Sequence, residues 1–306
     1  MSVGVSGGYP QYGGGTSGLI PELFADEFNV EYWATTLMPQ ITTGRFYEGL
    51  LEQGDKVTIA TEPTITVSDY SKGQELDIEV PYSTPITMAV DRAKYFNISV
   101  DSIDEKQSHL ELSSKYVDVG TRQLAQDIET QFFLDIAGDA ASQNRGATAG
   151  KEGSFDNGTT GTPEVVTADN AIEIILRVRT ILAEQNALAG GKVWMVVPPW
   201  FRHFLMQSEL WHADKTNDAK SIIRSGRVGE IDGVTIYESN LLPGTTGTYT
   251  YMFAGNMDAV SYISQLNKAE TIRSEKTFAT LFRALQVYDW KVRKSEGLVE
   301  FVVNDA

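Results

Sequence analysis

Ile103-Asp-Glu-Lys-Gln-Ser-His-Leu110-Glu-Leu-Ser-Ser-Lys-Tyr-Val117-Asp-Val-Gly-Thr-Arg-Gln-Leu124-Ala-Gln-Asp-Ile128-Glu-Thr-Gln-Phe132-Phe-Leu-Asp-Ile136 carries the longest helical pattern in the chain. Ile103, Leu110, Val117 and Leu124 keep one heptad row, and Ile128, Phe132 and Ile136 continue the same face after a small drift. At 1.5 Å per residue, the pattern over 103–136 predicts a helix roughly 50 Å long. In a chain of 306 residues such a helix is a strut, and Gly120 in its middle permits a bend or a close contact. Asp101, Asp104 and Glu105 stand at its start, where acids complement the positive end of the helix dipole. That cap accounts for them without paired acid–base catalysis.

Upstream of the strut, Lys56-Val-Thr-Ile-Ala-Thr and Thr64-Ile-Thr-Val place Val57/Ile59 and Ile65/Val67 against polar neighbours. A polar stretch, 68–75, follows, and Leu76-Asp-Ile-Glu-Val-Pro-Tyr82 alternates strictly. Two alternating runs about a polar tip predict a hairpin, and Pro63, Pro81 and Pro85 make it an edge ribbon rather than part of a central sheet. A strand pair, Ile86–Val90 and Tyr95–Val100, joins this ribbon to the strut. Nearer the start, Phe24, Phe28, Tyr32 and Trp33 recur at helical spacing behind the acids Glu22, Asp26 and Glu27, and Pro39 marks the expected end of that helix. Its aromatic stripe reads as core-facing. Residues 1–18 are Gly-rich and uncharged, with Tyr9 and Tyr12 interspersed, and cannot bury enough surface to offset their ordering entropy alone. They are expected to form an arm that orders across a neighbouring subunit.

Downstream, the Gly- and Asn-rich stretch 144–162 reads as a loop joining two lobes. Residues 163–258 look like a compact α/β lobe. A helix after Thr167-Ala-Asp169 carries Ile172, Ile175, Leu176, Val178 and Leu182 and stops at Gly190-Gly191; Val193-Trp-Met-Val-Val197 is a buried strand; and Pro198-Pro199 opens a short helix with Phe201, Phe204 and Leu205. Gly229–Pro243 and a strand over Tyr249–Phe253 follow. Strands are expected at 259–263, 285–292 and 298–303, rejoining the lobe built on the strut.

The composition narrows the chemistry. There are 25 Lys+Arg against 41 Asp+Glu, a formal charge of −16, and no cysteine, which excludes disulfides, thiolate metal sites and thiol nucleophiles. An acidic balance of this size argues against tight nucleic-acid binding, whose affinity comes from Lys and Arg displacing counterions. No apolar run approaches the roughly 20 residues of a membrane span, and the N-terminus lacks the pattern of a secretion signal, so retention in the cytosol is expected. Gly4-Val-Ser6-Gly-Gly8 has the letters of a serine-hydrolase elbow without the strand and helix that would strain it. Gly146-Ala-Thr-Ala-Gly150-Lys151 is one residue short of a phosphate loop, with Glu152 where Mg²⁺ needs a hydroxyl. Histidines occur only at 109, 203 and 212, without ligand spacing. The sequons at Asn97 and Asn157 mean nothing without secretion. No catalytic, cofactor or metal constellation is expected.

This order of elements resembles the major capsid protein of tailed bacteriophages with the Hong Kong 97-like fold. Tyr47-Glu-Gly-Leu-Leu-Glu-Gln-Gly-Asp-Lys-Val-Thr-Ile is similar to the start of the extended loop in such proteins, and Lys94-Tyr-Phe-Asn-Ile-Ser-Val-Asp-Ser-Ile-Asp to the approach to their spine helix. Gly229-Glu-Ile-Asp-Gly-Val-Thr-Ile-Tyr-Glu-Ser-Asn-Leu-Leu-Pro243, followed by Phe253-Ala-Gly-Asn-Met-Asp-Ala-Val, resembles a run that recurs in phage coat sequences. The resemblance covers about 20–303. It implies an α+β fold with an N-terminal arm and short helix (1–49) and an extended β-hairpin loop (50–85). A peripheral domain (86–162 and 259–306) would hold the spine helix 103–136, and a central α/β axial domain would span 163–258.

It further implies a structural, non-enzymatic subunit of an icosahedral head. Such subunits self-assemble into pentamers and hexamers around double-stranded DNA, in the host bacterial cytoplasm, and end in the virion. Implied partners are other copies of itself, a portal protein, a decoration protein and a scaffolding protein, the last separate because the chain starts directly with the arm. No cofactor and no membrane are implied. Lys72, at the loop tip, lacks the acidic context that would single it out for cross-linking. The residues expected to meet other subunits are Asp69, Tyr70, Lys72, Glu75, Ile78, Val80 and Tyr82 of the loop and Tyr9 and Tyr12 of the arm. The competing readings are an encapsulin-type nanocompartment, which shares the fold, and a cytosolic enzyme with a dimerisation arm.

Overall fold

Strand β5 (Val193–Val197) is apolar at every position and buried at every position, because both its faces are covered. In the computed structural model, which describes residues 36–44, 56–59, 63, 65–83, 85–101, 112–207, 227–275 and 277–305, β5 lies inside a seven-stranded mixed sheet. The path of that sheet is β4 (Glu164–Val166), β12 (Leu298–Asp305), β9 (Tyr249–Asn256), β5, β7 (Val234–Glu238) and β6 (Arg227–Ile231), with β8 (Gly244–Thr245) beside β9. Asp232 and Gly233 join β6 to β7 at φ 49° and 75°. Positive φ at both central residues gives a turn whose twist matches a hairpin, and Asp-Gly is suited to it.

Alternation along β5 sorts its side chains to two cores. Met195 and Val197 face helices α3 (Ala171–Glu184) and α4 (Pro199–Gln207), where Ile174, Ile175, Val178, Ile181, Leu182, Phe201 and Leu205 are fully buried. Trp194 and Val196 face the other way, onto the C-terminal half of α2 (Leu112–Ile136) and the short α1 (Met38–Ile41). There Phe132 meets Trp290 edge-on with centroids 5.6 Å apart, and Phe133 stacks on Phe253 at 5.9 Å. Leu176, expected on the buried stripe of α3, is 40% exposed.

The strut helix thus joins two sheets. Its C-terminal half backs the seven-stranded sheet, while its earlier turns pack on a three-stranded sheet of order β10 (Val260–Arg273), β11 (Ala279–Val292) and β3 (Arg92–Asp101). A side chain at Gly120 would have its Cβ 3.0 Å from the ring of Phe96 on β3, so the glycine serves the close contact. Arg92 of β3 binds Asp135 of α2 and lies 4.2 Å over Trp290, and Lys94 pairs with Asp127. Replacing Gly120 with Leu should lower subunit stability by about 2 kcal/mol through overpacking, read as a shift in urea midpoint. The expected heptad row is half-buried at Val117 and Leu124 and buried at Ile128, Phe132 and Ile136, whereas Ile103 and Leu110 lie outside the described residues.

Several expectations are corrected. The last strand does not rejoin the lobe of the strut; β12 inserts between β4 and β9, parallel to the first and antiparallel to the second. Its apolar residues fall on both faces, Leu298, Val299, Phe301, Val302 and Val303, which suits a covered central strand and not an edge. The strands expected at 259–263 and 285–292 are the ends of a 14-residue hairpin pair, β10 and β11; its outer part mixes apolar and polar residues without strict alternation, as in Ala279-Thr-Leu-Phe-Arg-Ala-Leu285, so no apolar period reveals it.

β2 (Ile86–Ala89) pairs with β1 (Lys56–Ile59), not with β3, whose partner is β11. The 144–162 stretch is a loop, as expected, and it is docked: Asn144 and Asn157 are fully buried, and their side-chain amides donate to the carbonyls of Glu296, just ahead of β12, and of Leu298 and Glu300 within it. Pro39 lies within α1 instead of ending a helix, the first turn being where its missing N–H costs nothing. The helix expected over Glu22–Trp33 lies outside the described residues.

Candidate assembly surfaces

Residues 65–82 are exposed without exception. Ile65 is 67% exposed, Val67 94%, Leu76 75%, Ile78 93% and Val80 and Tyr82 84% each, although such side chains belong in cores. The two legs make no backbone ladder, which corrects the expected pair of strands; proline at 63, 81 and 85 removes donors that a ladder needs. A side chain holds them instead, with the Glu79 carboxylate accepting from the Thr66 N–H at 2.9 Å and from its hydroxyl at 3.3 Å.

At the tip, the Gln74 N–H donates to the Ser71 carbonyl at 3.0 Å, the Gln74 side-chain carbonyl accepts from the Ser71 N–H, and Gly73 takes φ +89°. Along each extended leg the side chains alternate, so Ile65 and Val67 on one leg and Ile78 and Val80 on the other stand apart from the polar Thr66 and Glu79 between them. Asp69, Glu75, Asp77 and Glu79 against Lys72 leave the ribbon acidic. Exposed apolar side chains gathered on one segment in this number mark a candidate interaction surface.

Of the residues expected to meet other subunits, the structure brings Asp69, Tyr70, Lys72, Glu75, Ile78, Val80 and Tyr82 onto this one exposed ribbon, with Tyr70 65% exposed. Tyr9 and Tyr12 lie outside the described residues. A second exposed face lies on the three-stranded sheet, where Tyr95 of β3 is 75% exposed.

The discounted motifs take definite places. In the loop that resembles a phosphate cradle, the N–H groups of Lys151, Glu152 and Gly153 point at the Glu184 carboxylate of α3, at 2.6, 3.2 and 3.1 Å. The anion seat is filled by the protein's own carboxylate, and these bonds, that from Glu152 first, hold the Glu184 carboxyl below its ordinary range. His203 sits exposed on α4 with Gln207 3.0 Å away, and Asn157 is too buried to carry a glycan. Asp101 ends β3, whereas Ser6, Asp104, Glu105, His109 and His212 lie outside the described residues. Among the described residues no group of three or more His, Asp or Glu could hold a metal. An open cleft of about 350 Å³ at one end of the central sheet, bordered by Trp200, Asn240, Thr248, Tyr249 and Asp305, brings no nucleophile–base pair together.

One residue that periodicity passed over stands out. Glu129 of α2 is 1% exposed, and its Oε2 accepts the N–H groups of Leu37, at 2.6 Å, and Met38, at 3.3 Å, just ahead of and within α1. Its other oxygen has no partner among the described residues. Burial pushes the carboxyl up to about 7, against the opposing pull of the two N–H bonds. The only signal in the sequence is an acid on the buried side of an apolar stripe.

The model of the phage capsid protein family matches residues 83–301. A solved chain from Mycobacterium phage Che8 is 28% identical, with 93% of this chain and 97% of that one covered at a TM-score of 0.73. The capsid of cyanophage P-SCSP1u, 15% identical, covers 94% of each chain at a TM-score of 0.64. The capsid of the native GTA particle, 11% identical, reaches 0.59 with 93% of this chain and 95% of that one covered. The last two show a shared fold. No curated protein sequence matches. The expected capsid architecture is borne out in the fold, and neither the nanocompartment nor the enzyme gains support. Two sheets on one strut, with an exposed ribbon beside them, form a structural shell subunit that acts in the virion and assembles with its own kind: the chain belongs to the phage capsid protein family.

Proposed function

We propose that this chain is the major head protein of a tailed phage, closing as pentamers and hexamers around double-stranded DNA. In this reading 1–49 is an arm with its short helix and 50–85 the extended loop. The peripheral domain is 86–162 with 259–306, less β12, which serves the axial domain at 163–258. The observation that carries the reading is the exposed apolar side chains of the ribbon, Ile65, Val67, Ile78 and Val80, on two legs tied by the Thr66–Glu79 bond. An isolated monomer gains nothing from it, whereas a shell turns the same edge into a joint. Asp69, Tyr70, Lys72, Glu75, Ile78, Val80 and Tyr82, with Tyr9 and Tyr12 of the arm, are the proposed contacts between subunits. Many such joints, each weak, add up through multivalency, and closed symmetry ends growth at a finite particle.

Assembly is placed in the host cytoplasm with a separate scaffolding protein, a portal at one vertex and a decoration protein outside. DNA is met by proximity and not by sequence. The charge of −16 supports that part: an acidic inner wall would repel packaged DNA and leave it free to move.

Electron microscopy of the full chain, expressed alone and with its neighbouring reading frames, tests the proposal. Closed polyhedral particles are expected, and co-expression identifies the frames they need. Monodisperse monomers or dimers under every condition would overturn it, and an inner surface found net basic would remove the account of DNA.

A further inference from the structure

We propose that Glu129 is a protonation latch for the root of the N-terminal segment: Leu37 and Met38 close over its carboxyl against the strut helix while it is neutral, and the cost of burying its charge favours their opening when it ionises. The geometry singles it out. The segment 36–44 is pinned at two places, one being the Glu129 Oε2, which accepts both N–H groups. The other is the edge of β10, where the Thr43 N–H donates to Val260 and the Thr43 carbonyl accepts from Tyr262. Between these pins Leu37, Met38 and Ile41 fill the core beneath Phe132, Phe133 and Trp194. The carboxyl is therefore sealed beneath the segment it holds, and only local opening of 36–44 brings it to water.

Among the described residues the surrounding ionisable groups give it no counter-charge. On the same helix Asp127 is paired with Lys94 and Asp135 with Arg92, both from β3. On β11, Asp289 also binds Arg92, and the Tyr288 phenol is raised by its own burial. The Tyr262 hydroxyl of β10 accepts from Gln286, and Glu300 of β12 accepts from the Gly138 N–H instead. Burial and the two N–H bonds act on Glu129, and its second oxygen has no partner among the described residues.

The sign follows from comparing the closed and open states. The group titrates near 7 when closed and near 4.5 when open. A raised acid contributes full closure below the open-state value and loses that contribution as pH climbs towards the closed-state value. Opening of 36–44 should therefore increase on the order of a hundredfold between pH 4.5 and 7, then level off. The consequence is directional: the point from which residues 1–35 depart is tighter in mild acid and looser above neutrality. This follows whether or not the chain closes into heads.

Hydrogen exchange followed by mass spectrometry on the full chain, as shells and as unassembled subunits, reads the latch between pH 5 and 8. Rates are corrected for the intrinsic pH dependence of exchange. Protection of the 36–44 peptide should fall steeply with pH in the wild type and stay flat in Glu129→Gln, which keeps the acceptor and removes the charge. A peptide over Val193–Val197, apolar and buried at every position, serves as the internal comparison. A flat wild-type profile, or a slope that persists in Glu129→Gln, overturns the latch. Should that variant fail to fold, carbon-detected titration of the Glu129 carboxyl in wild-type subunits decides, a midpoint near 4.5 being fatal.

Discussion

Deleting residues 68–75 is expected to leave a folded, soluble subunit that no longer closes into shells. Every residue of 65–82 is exposed, and the hydrogen bonds described within it run from one leg to the other or within the tip. Removing the tip therefore withdraws no described support from either sheet, and the urea midpoint should stay within about 0.5 kcal/mol of the wild type, the usual range for surface changes. Assembly should respond out of proportion. Burying an aliphatic or aromatic side chain such as Tyr70 contributes about 1.5–3 kcal/mol, and the deletion removes Tyr70 altogether. A loss of even about 1.4 kcal/mol is tenfold at each joint, and a shell multiplies that loss over many joints. A second variant, Val67→Asp with Ile78→Asp, puts two charges among the apolar side chains without shortening the loop and should act in the same direction. Micrographs read both, and normal closed particles from either variant would remove the ribbon from the joint.

The second large effect lies inside the subunit, at Gly158. Its φ is +74°, and a Cβ there would lie 2.0 Å from the Val302 carbonyl oxygen and 2.7 Å from the Glu164 N–H nitrogen. Neither neighbour is a flexible side chain; both are backbone of adjacent strands, β12 and β4. Gly158→Ala therefore combines left-handed strain, about 1 kcal/mol, with a forced separation of the loop from β12. That separation also breaks the bond from the Val302 N–H to the Asn157 carbonyl and strips the buried Asn157 side chain of its partners. A total loss of about 3–5 kcal/mol is expected, a large share of the stability of an ordinary domain. Urea unfolding of unassembled subunits measures it, and a midpoint unchanged from the wild type would show that the loop is not docked as described.

The sequence and the fold part company at identifiable residues. Val193–Val197 reads as a buried strand because five successive apolar side chains have no other use, and α3 and α4 are legible from their own spacing and proline or glycine boundaries. The ribbon is legible as a protrusion, since proline and alternating charge exclude it from a sheet interior, but its legs are tied by Glu79 and not by a ladder. The β10–β11 pair is half hidden. Arg283 and Glu270 form an ion pair across it, and such a pair looks like any polar stretch until its two strands are set side by side. Glu129 was invisible as a site, because what makes it unusual is a backbone 92 residues away.

By itself the sequence determined whatever is local: the strut, the covered strand, the exposed apolar ribbon, the net acidity and the lack of a thiol. These follow from periodicity and composition within a few turns of chain, where each residue type has its own free energy of burial. Only the tertiary structure decided where β12 inserts, which strand pairs with β3, how the loop at 144–162 docks and what the buried carboxylate holds. Those outcomes depend on hydrogen bonds and contacts that exist only when two distant segments meet, and several pairings share the same local pattern. The energy that chooses among them belongs to the assembled whole.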